Sequence, residues 1–211
     1  VSSLSITVAP SKINLIRFRR TLAFLRRARD LLEEKKEILL LEVNRRIGEA
    51  AKIRSELNRT LKEAHSLLDA ATVAVGTKEM EAAGGVPCLA YELRVSKRKV
   101  MGVTALAFEI SVVKRPVGYN ISKPSILIDE TSEKFQQALP LTVKVAELES
   151  TLVRLVEEVK KTQQRINALE QFLIPRYAST VSLITSVLEE RDREEFVRVK
   201  KVKNLLERRS K

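Results

Sequence analysis

Apolar or small residues recur at three- and four-residue steps over two long stretches of the chain. In the first, Leu15, Phe18, Leu22, Leu25, Ala28 and Leu32 lead into Leu39, Val43, Ile47, Ala50, Ile53, Leu57, Leu61, Ala64, Leu68, Ala71 and Val75. In the second, Val145, Leu148, Leu152, Leu155, Val159, Thr162, Ile166, Leu169 and Leu173 keep the step without a slip, and Tyr177, Val181, Ile184, Leu188, Phe196 and Val199 continue it less regularly. Alternation of three and four is the seam of a coiled coil. The pattern predicts helices over residues 11–75 and 133–207, roughly 98 Å and roughly 110 Å long at 1.5 Å per residue, the second continuing into a basic C-terminal end within 133–211. Pro10 stops any earlier helix, and Ser11 is placed to cap the new one. Two helices of similar length joined by a compact insert fold back antiparallel. The expected fold is mainly α: a long antiparallel two-helix coiled coil, with the insert at the tip opposite the termini and residues 1–10 as a tail.

The insert covers residues 76–132. Gly84, Gly85 and Pro87 break the helix, and Tyr91, Leu93 and Val95 alternate with polar residues as in a strand with one buried face. A second extended run spans residues 103–113, and Ser96-Lys97-Arg98-Lys99 between them reads as a turn or an exposed strand edge. Pro116, Gly118 and Pro124 mark loop. This predicts a short β-hairpin and a loop capping the far tip.

Pro175 interrupts the second helix. A mid-helix proline removes one backbone hydrogen bond and clashes with the carbonyl four residues back, here Gln171, at a cost of about 3 kcal/mol. Either the helix ends at Ile174 and a new one starts with Pro in its first turn, or one helix runs through with a kink at Pro175. The resumption of the apolar pattern at Tyr177 favours the kink.

Composition supports long helices: 44% hydrophobic, 31% charged, only 4% aromatic, with no Trp and six each of Gly and Pro in 211 residues. The formal net charge of +12 is unevenly placed. Residues 12–29 hold seven basic side chains (Lys12, Arg17, Arg19, Arg20, Arg26, Arg27 and Arg29) and no acid, and residues 198–211, which include Arg198, Lys200, Lys201 and Lys203, hold seven against one acid, Glu207. The rest of the chain is nearly neutral, so antiparallel folding gathers the excess charge at one tip. A lone cysteine, Cys88, fits a reducing compartment. Residues 1–10 lack the pattern of a signal peptide, and no run of about 18 apolar residues is present. The expected setting is cytoplasmic, without direct bilayer insertion.

Chemistry is not indicated. His65 is alone on a helix, Cys88 has no histidine at a suggestive spacing, and Gly84-Gly85 is not followed by the Lys-Ser/Thr of a phosphate loop. The Asn58-Arg59-Thr60 and Asn120-Ile121-Ser122 triplets are chance matches in a cytoplasmic chain. No catalytic, cofactor-binding or metal-ligating residue is expected. The basic tip lacks the interleaved aromatics that stack on bases, so an acidic protein surface suits it at least as well as nucleic acid.

The region 163–203 carries a specific run: Gln164-Arg165-Ile166-Asn167-Ala168-Leu169-Glu170, Ile174-Pro175-Arg176, Leu188-Glu189-Glu190-Arg191-Asp192-Arg193-Glu194-Glu195-Phe196 and Lys200-Lys201. It resembles the C-terminal signature of the D subunit of the archaeal and vacuolar-type rotary ATPases. Pro10-Ser11-Lys12-Ile13-Asn14-Leu15, Gly102-Val103-Thr104 and Phe108-Glu109 resemble that family too. Departures are Lys12, where the family usually has Arg, and Glu33-Glu34-Lys35-Lys36 after Leu31-Leu32, where it often has a lysine-rich run.

The resemblance implies a non-catalytic central stalk, or rotor axle, that couples ATP hydrolysis or synthesis in the head to ion translocation. Its paired termini would enter the head of catalytic A and regulatory B subunits. The implied head contacts are Lys12, Arg17, Arg19, Arg20, Arg26, Arg27, Arg191, Arg193, Arg198, Lys200, Lys201 and Lys203. The small F subunit would dock mid-coil, around residues 46–61 and 151–165, and the far tip would rest on the adaptor protein of the membrane rotor ring. The assembly would be membrane-bound, this chain peripheral, with no cofactor and no nucleic acid. The alternatives are a prefoldin-like chaperone, whose tips should expose apolar residues, and a basic coiled coil that binds nucleic acid.

Overall fold

The computed structural model describes residues 9–84, 89–114 and 126–209. Cys88, Gly85, Pro87, Pro116, Gly118, Pro124, the 120–122 triplet and most of the N-terminal tail lie outside the described residues. The elements are α1 (Lys12–Val75), α2 (Thr77–Gly84), β1 (Leu89–Val100), β2 (Val103–Lys114), α3 (Ile126–Ala168), a π-helical turn (Leu169–Leu173) and α4 (Ile174–Arg209). The chain is mainly helical, built on a long helix pair with a β-hairpin insert.

Local chemistry fixes the ends of α1. The Ser11 hydroxyl accepts the Asn14 N–H at 3.3 Å, the N-cap bond expected of that serine. At the other end Gly76 adopts φ +99° and donates its N–H to the Thr72 carbonyl, so the helix closes on a left-handed glycine. The second long helix begins at Ile126, seven residues before the expected start.

The helices divide into two compact units, residues 1–37 with 160–211 and residues 38–159. In the first, Lys12 meets Asp192, Arg19 meets Thr185 and Arg29 meets Glu170. Partner numbers fall as α1 numbers rise, so the two segments run antiparallel. Its seam buries Leu22, Thr162, Ile166, Thr180, Ile184 and Leu188. In the second unit, Leu39 and Val43 pack on Leu155 together with Leu152 and Val159, while Leu57 packs with Ala138 and Val145, backed by Ile53, Leu61 and Leu141. Arg54–Glu149 and Glu63–Lys134 repeat the antiparallel order. Ala64 and Ala71 are fully buried, which lets neighbouring elements approach closely there.

The hairpin is longer than expected, with twelve residues in each strand. The basic run 96–99 lies within β1, and the turn is Met101-Gly102. At 3.3 Å per residue each strand spans about 40 Å. Instead of capping a tip, the hairpin folds back along its unit until Val103, beside the turn, packs against Leu39, Val43 and Leu155.

At Pro175 the backbone never leaves helical geometry. The irregularity sits one turn upstream, where the Ile174 N–H reaches the Leu169 carbonyl across the π turn. Pro140, inside α3, is accommodated without an irregular turn.

Candidate functional site

Two surfaces stand out: the end of the first unit that carries the basic residues, and one flank of the second unit.

At the basic end, part of the charge is spent on holding the two helices together. Lys12 Nζ lies 3.4 Å from Asp192 Oδ1, Arg191 donates to the Pro10 carbonyl at 3.3 Å, and Arg19 donates to the Thr185 hydroxyl at 3.4 Å. Arg29 bridges Asp30 at 2.6 Å and Glu170 at 3.2 Å, and these two carboxylates hold its guanidinium above the usual pKa. Phe18 and Tyr177 meet across the pair, with ring centroids 5.5 Å apart and planes tilted by 43°. Arg193 and Arg198 pair within α4, with Glu190 and Glu194. Arg17 and Arg20 line a shallow cavity of about 340 Å³ with Ile13, Ile16 and Thr21. Arg26, Arg27, Lys200, Lys201 and Lys203 are exposed.

Charge is only half of this surface. Every residue from 189 to 206 is exposed, and Phe196, Val199, Val202 and Leu206 recur there at helical spacing, with Phe196 71% exposed. Sequence reading described this tip as basic; it is amphipathic. The seam signal at Phe196 and Val199 was real periodicity, but α1 starts at Lys12, which is already level with Asp192, so no described residue of α1 covers it.

The seam residues divide by burial. Leu22, Leu57, Val145, Leu148, Leu155 and Ile166 are buried, and Leu25, Leu32, Leu61, Leu152, Val159 and Leu169 are half-buried. Leu173 differs from expectation: it is 38% exposed, turned off the seam by the π turn that contains it.

In the second unit, Glu42 is a buried acid that sequence reading passed over. It accepts a fork from Arg45 (Nη2 at 2.8 Å, Nε at 2.9 Å) and a third bond from Arg46 Nε at 2.9 Å. The Arg45 bond, supported by Arg46, holds the Glu42 carboxyl below the usual glutamate range. The only signal in the sequence was the Glu-x-x-Arg-Arg spacing on one helix face.

Leu40, Ile47, Val153 and Val156 are all exposed large apolar residues. Leu40 and Ile47 precede Arg54 by two sevens, so the three share a flank of α1. Val153 and Val156 follow Glu149 by four and seven, and so share its flank of α3. Arg54 Nη1 lies 3.4 Å from Glu149 Oε1, so both flanks face the same side. The four apolar side chains therefore line one uncovered groove. Leu41, at 70% exposure, adds apolar surface on the outer side of α1.

A second opening, about 450 Å³, lies between the hairpin and α3, lined by Tyr91, Ile110, Glu133, Gln136, Gln137 and Pro140. His65 is exposed and packs edge-on against Phe135 at 5.5 Å. Among the described residues no group of three or more His, Cys, Asp or Glu side chains could hold a metal ion, and no helix is long and apolar enough to cross a membrane.

A profile of the ATP synthase D-subunit family matches residues 14–204. The chain belongs to that family. It is 36% identical over 208 residues to the A-type ATP synthase D subunit of Thermococcus kodakarensis, covering 97% of both chains. To the D subunit of Pyrococcus furiosus it is 36% identical over 206 residues, 96% of both chains. To that of Methanopyrus kandleri it is 33% identical over 209 residues, 96% of this chain and 88% of the relative. Membership of the D-subunit family extends through both helical segments and the hairpin, and it displaces the chaperone and nucleic-acid alternatives. The exposed apolar stripe at the tip, which alone would have suited a chaperone, belongs to a member of this family.

Proposed function

We propose that the chain is the central stalk of an A-type ATP synthase and turns within the head of catalytic A and regulatory B subunits without itself catalysing the reaction. The single observation that carries this reading is the near full-length match to the D subunits of A-type ATP synthases. The cross-ties Lys12–Asp192, Arg19–Thr185 and Arg29–Glu170 support it, because they let the two paired segments turn as one body. The amphipathic end is the part that enters the head, through exposed Arg26, Arg27, Arg198, Lys200 and Lys201 and the stripe beginning at Phe196. Long basic side chains on an exposed helix make contacts worth about 0–1 kcal/mol each, which suits a bearing that meets several equivalent stations.

The groove of Leu40, Ile47, Val153 and Val156 is the dock for the F subunit, and the far end of the second unit, where α1 closes at Val75 and α3 opens at Ile126, faces the adaptor of the membrane rotor ring. The chain is peripheral to the membrane in this reading.

The test is covalent. With Cys88 replaced by Ser, Arg198→Cys is linked to a facing cysteine in one of the A or B subunits, and in a second complex Arg29→Cys is bridged to Glu170→Cys by a short bismaleimide. The head link should stop ATP hydrolysis, and the bridge within the stalk should leave it unchanged. Undiminished hydrolysis in the head-linked complex would overturn the rotor reading.

A further inference from the structure

Met101 and Gly102 form the two-residue turn of the hairpin, and both have positive φ, 49° and 78°. Two such residues make the turn type whose twist matches the strands, and its first position favours Asn, Asp or Gly. Gly102 fits. Met101 does not, because its Cβ crowds the backbone there and its side chain forms no compensating local hydrogen bond. Packing offers no compensation, since Met101 is 54% exposed.

The hairpin on either side of the turn is strongly basic. Lys97, Arg98 and Lys99 are exposed, and no acid occurs in residues 93–108. Strand alternation sets Lys97 and Lys99 on the outer face and Arg98 on the face that carries Val103 and Ala105, so both faces of the tip carry positive charge. Among the described residues none of the three enters an ion pair. The base of the turn is firm: Val103 packs on Leu39, Val43 and Leu155, and Ala105 is buried.

Lysines on a strand edge also guard against edge-to-edge pairing, which would account for the charge but not for an apolar residue held in a disfavoured backbone conformation at the apex. Strain that is uncompensated locally points to use. We propose that the hairpin tip is a protein-docking element: Met101 enters an apolar recess on a neighbouring protein of the ATPase, and acidic side chains around the recess meet Lys97, Arg98 and Lys99. The inference rests on the reading of the chain as part of an assembled ATPase. An anionic bilayer is the other surface of suitable charge, but one apolar side chain is too little for stable membrane anchoring, whereas it suffices to key a protein recess.

The test places the photo-crosslinker p-benzoylphenylalanine at position 101 in the assembled, membrane-bound complex and maps the adduct by mass spectrometry. The expected adduct lies in one Asp- and Glu-rich segment of a single neighbouring protein, and its yield drops about tenfold in a Lys97→Glu/Arg98→Glu/Lys99→Glu background. Independently, Met101→Asn should leave the melting temperature of the chain unchanged or higher while lowering ATP turnover of the complex several-fold. Adducts with lipid alone, no adduct, or full turnover with Met101→Asn would overturn the docking inference and leave the stalk reading standing. Failure of the chain to assemble with A-type ATP synthase proteins would remove both.

Discussion

Ile174 donates its N–H to the carbonyl of Leu169, five residues back instead of four. The extra residue resets the seam. Continued three–four steps from Leu169 would bury positions 176, 180, 183 and 187; Thr180 is buried, yet Arg176 and Leu183 are exposed and burial passes instead to Ile184 and Leu188. The π turn also relieves Pro175, which has no N–H to offer Gln171 and would clash with its carbonyl in a regular helix. Deleting Phe172, which is exposed, should restore an unbroken seam through Ile174, Tyr177, Val181, Ile184 and Leu188. The deletion alone should cost about 3 kcal/mol because Pro175 then sits in regular helix, and adding Pro175→Ala should recover most of it. Deleting Glu157, where no π turn absorbs the change, should instead collapse the second half of the seam. Urea denaturation followed by circular dichroism separates the three, and equal stability of the Phe172 and Glu157 deletions would refute the register argument.

Leu155 and Leu173 make a matched pair for the seam itself. Leu155 is fully buried among Leu39, Val43, Leu152 and Val159, so Leu155→Ala should destabilise by about 2–5 kcal/mol. Leu173→Ala, on a partly exposed side chain, should cost under about 1 kcal/mol. Thermal and chemical melts of the two variants read this directly, and a larger loss at Leu173 would contradict the burial pattern.

Glu42 gives a pH signature. Its carboxyl is held below the usual range chiefly by Arg45, so its contribution to stability is complete above the ordinary glutamate value and drains away as pH falls through the lowered one. Glu42→Gln should therefore cost about 1–3 kcal/mol at pH 7, and the gap between variant and parent should close in the acid range, below about pH 4. A gap that stays constant from pH 7 down to pH 3 would show that the Arg45–Glu42–Arg46 bonds add no pH-dependent stability.

The groove predicts a clean separation of folding from binding. Ile47→Glu with Val153→Glu places charge on side chains that are exposed in the free chain, so the melting temperature should barely move. Binding of the F subunit should weaken by at least tenfold, because burying each apolar side chain contributes about 1.5–3 kcal/mol. Titration calorimetry with the purified F subunit is the measurement, and unchanged affinity would move the dock elsewhere.

Much of the helical architecture was legible because α3 keeps one period over many turns: Leu148, Leu152, Leu155 and Ile166 can share a side only in a helix that pairs along it. The hairpin was legible as alternation at Tyr91, Leu93 and Val95, but its turn was not. The basic run 96–99 is the more polar stretch, and Met101 lacks the chemistry by which such turns are normally recognised. The π turn was invisible for a related reason, since a one-residue phase slip near a proline looks like loss of pattern. The apolar half of the basic end was hidden inside the periodicity: Phe196 and Val199 fit the helical step whether or not another helix lies opposite. The groove needed a contact between distant residues, Arg54 with Glu149, before Leu40, Ile47, Val153 and Val156 could be set on the same side.

The cross-ties at Lys12–Asp192, Arg19–Thr185 and Arg29–Glu170 bear on how torque is carried. Twisting a pair of antiparallel helices makes them slide lengthwise past each other, and apolar side chains resist sliding poorly because dispersion contacts are re-formed one notch along. Charged rungs set across the pair resist that motion, since displacement stretches each at once. Rungs exposed to solvent weaken as salt rises, while the apolar seam does not. The axle should therefore grow torsionally softer in concentrated salt well before it melts, and elastic energy stored between power strokes would fall with it.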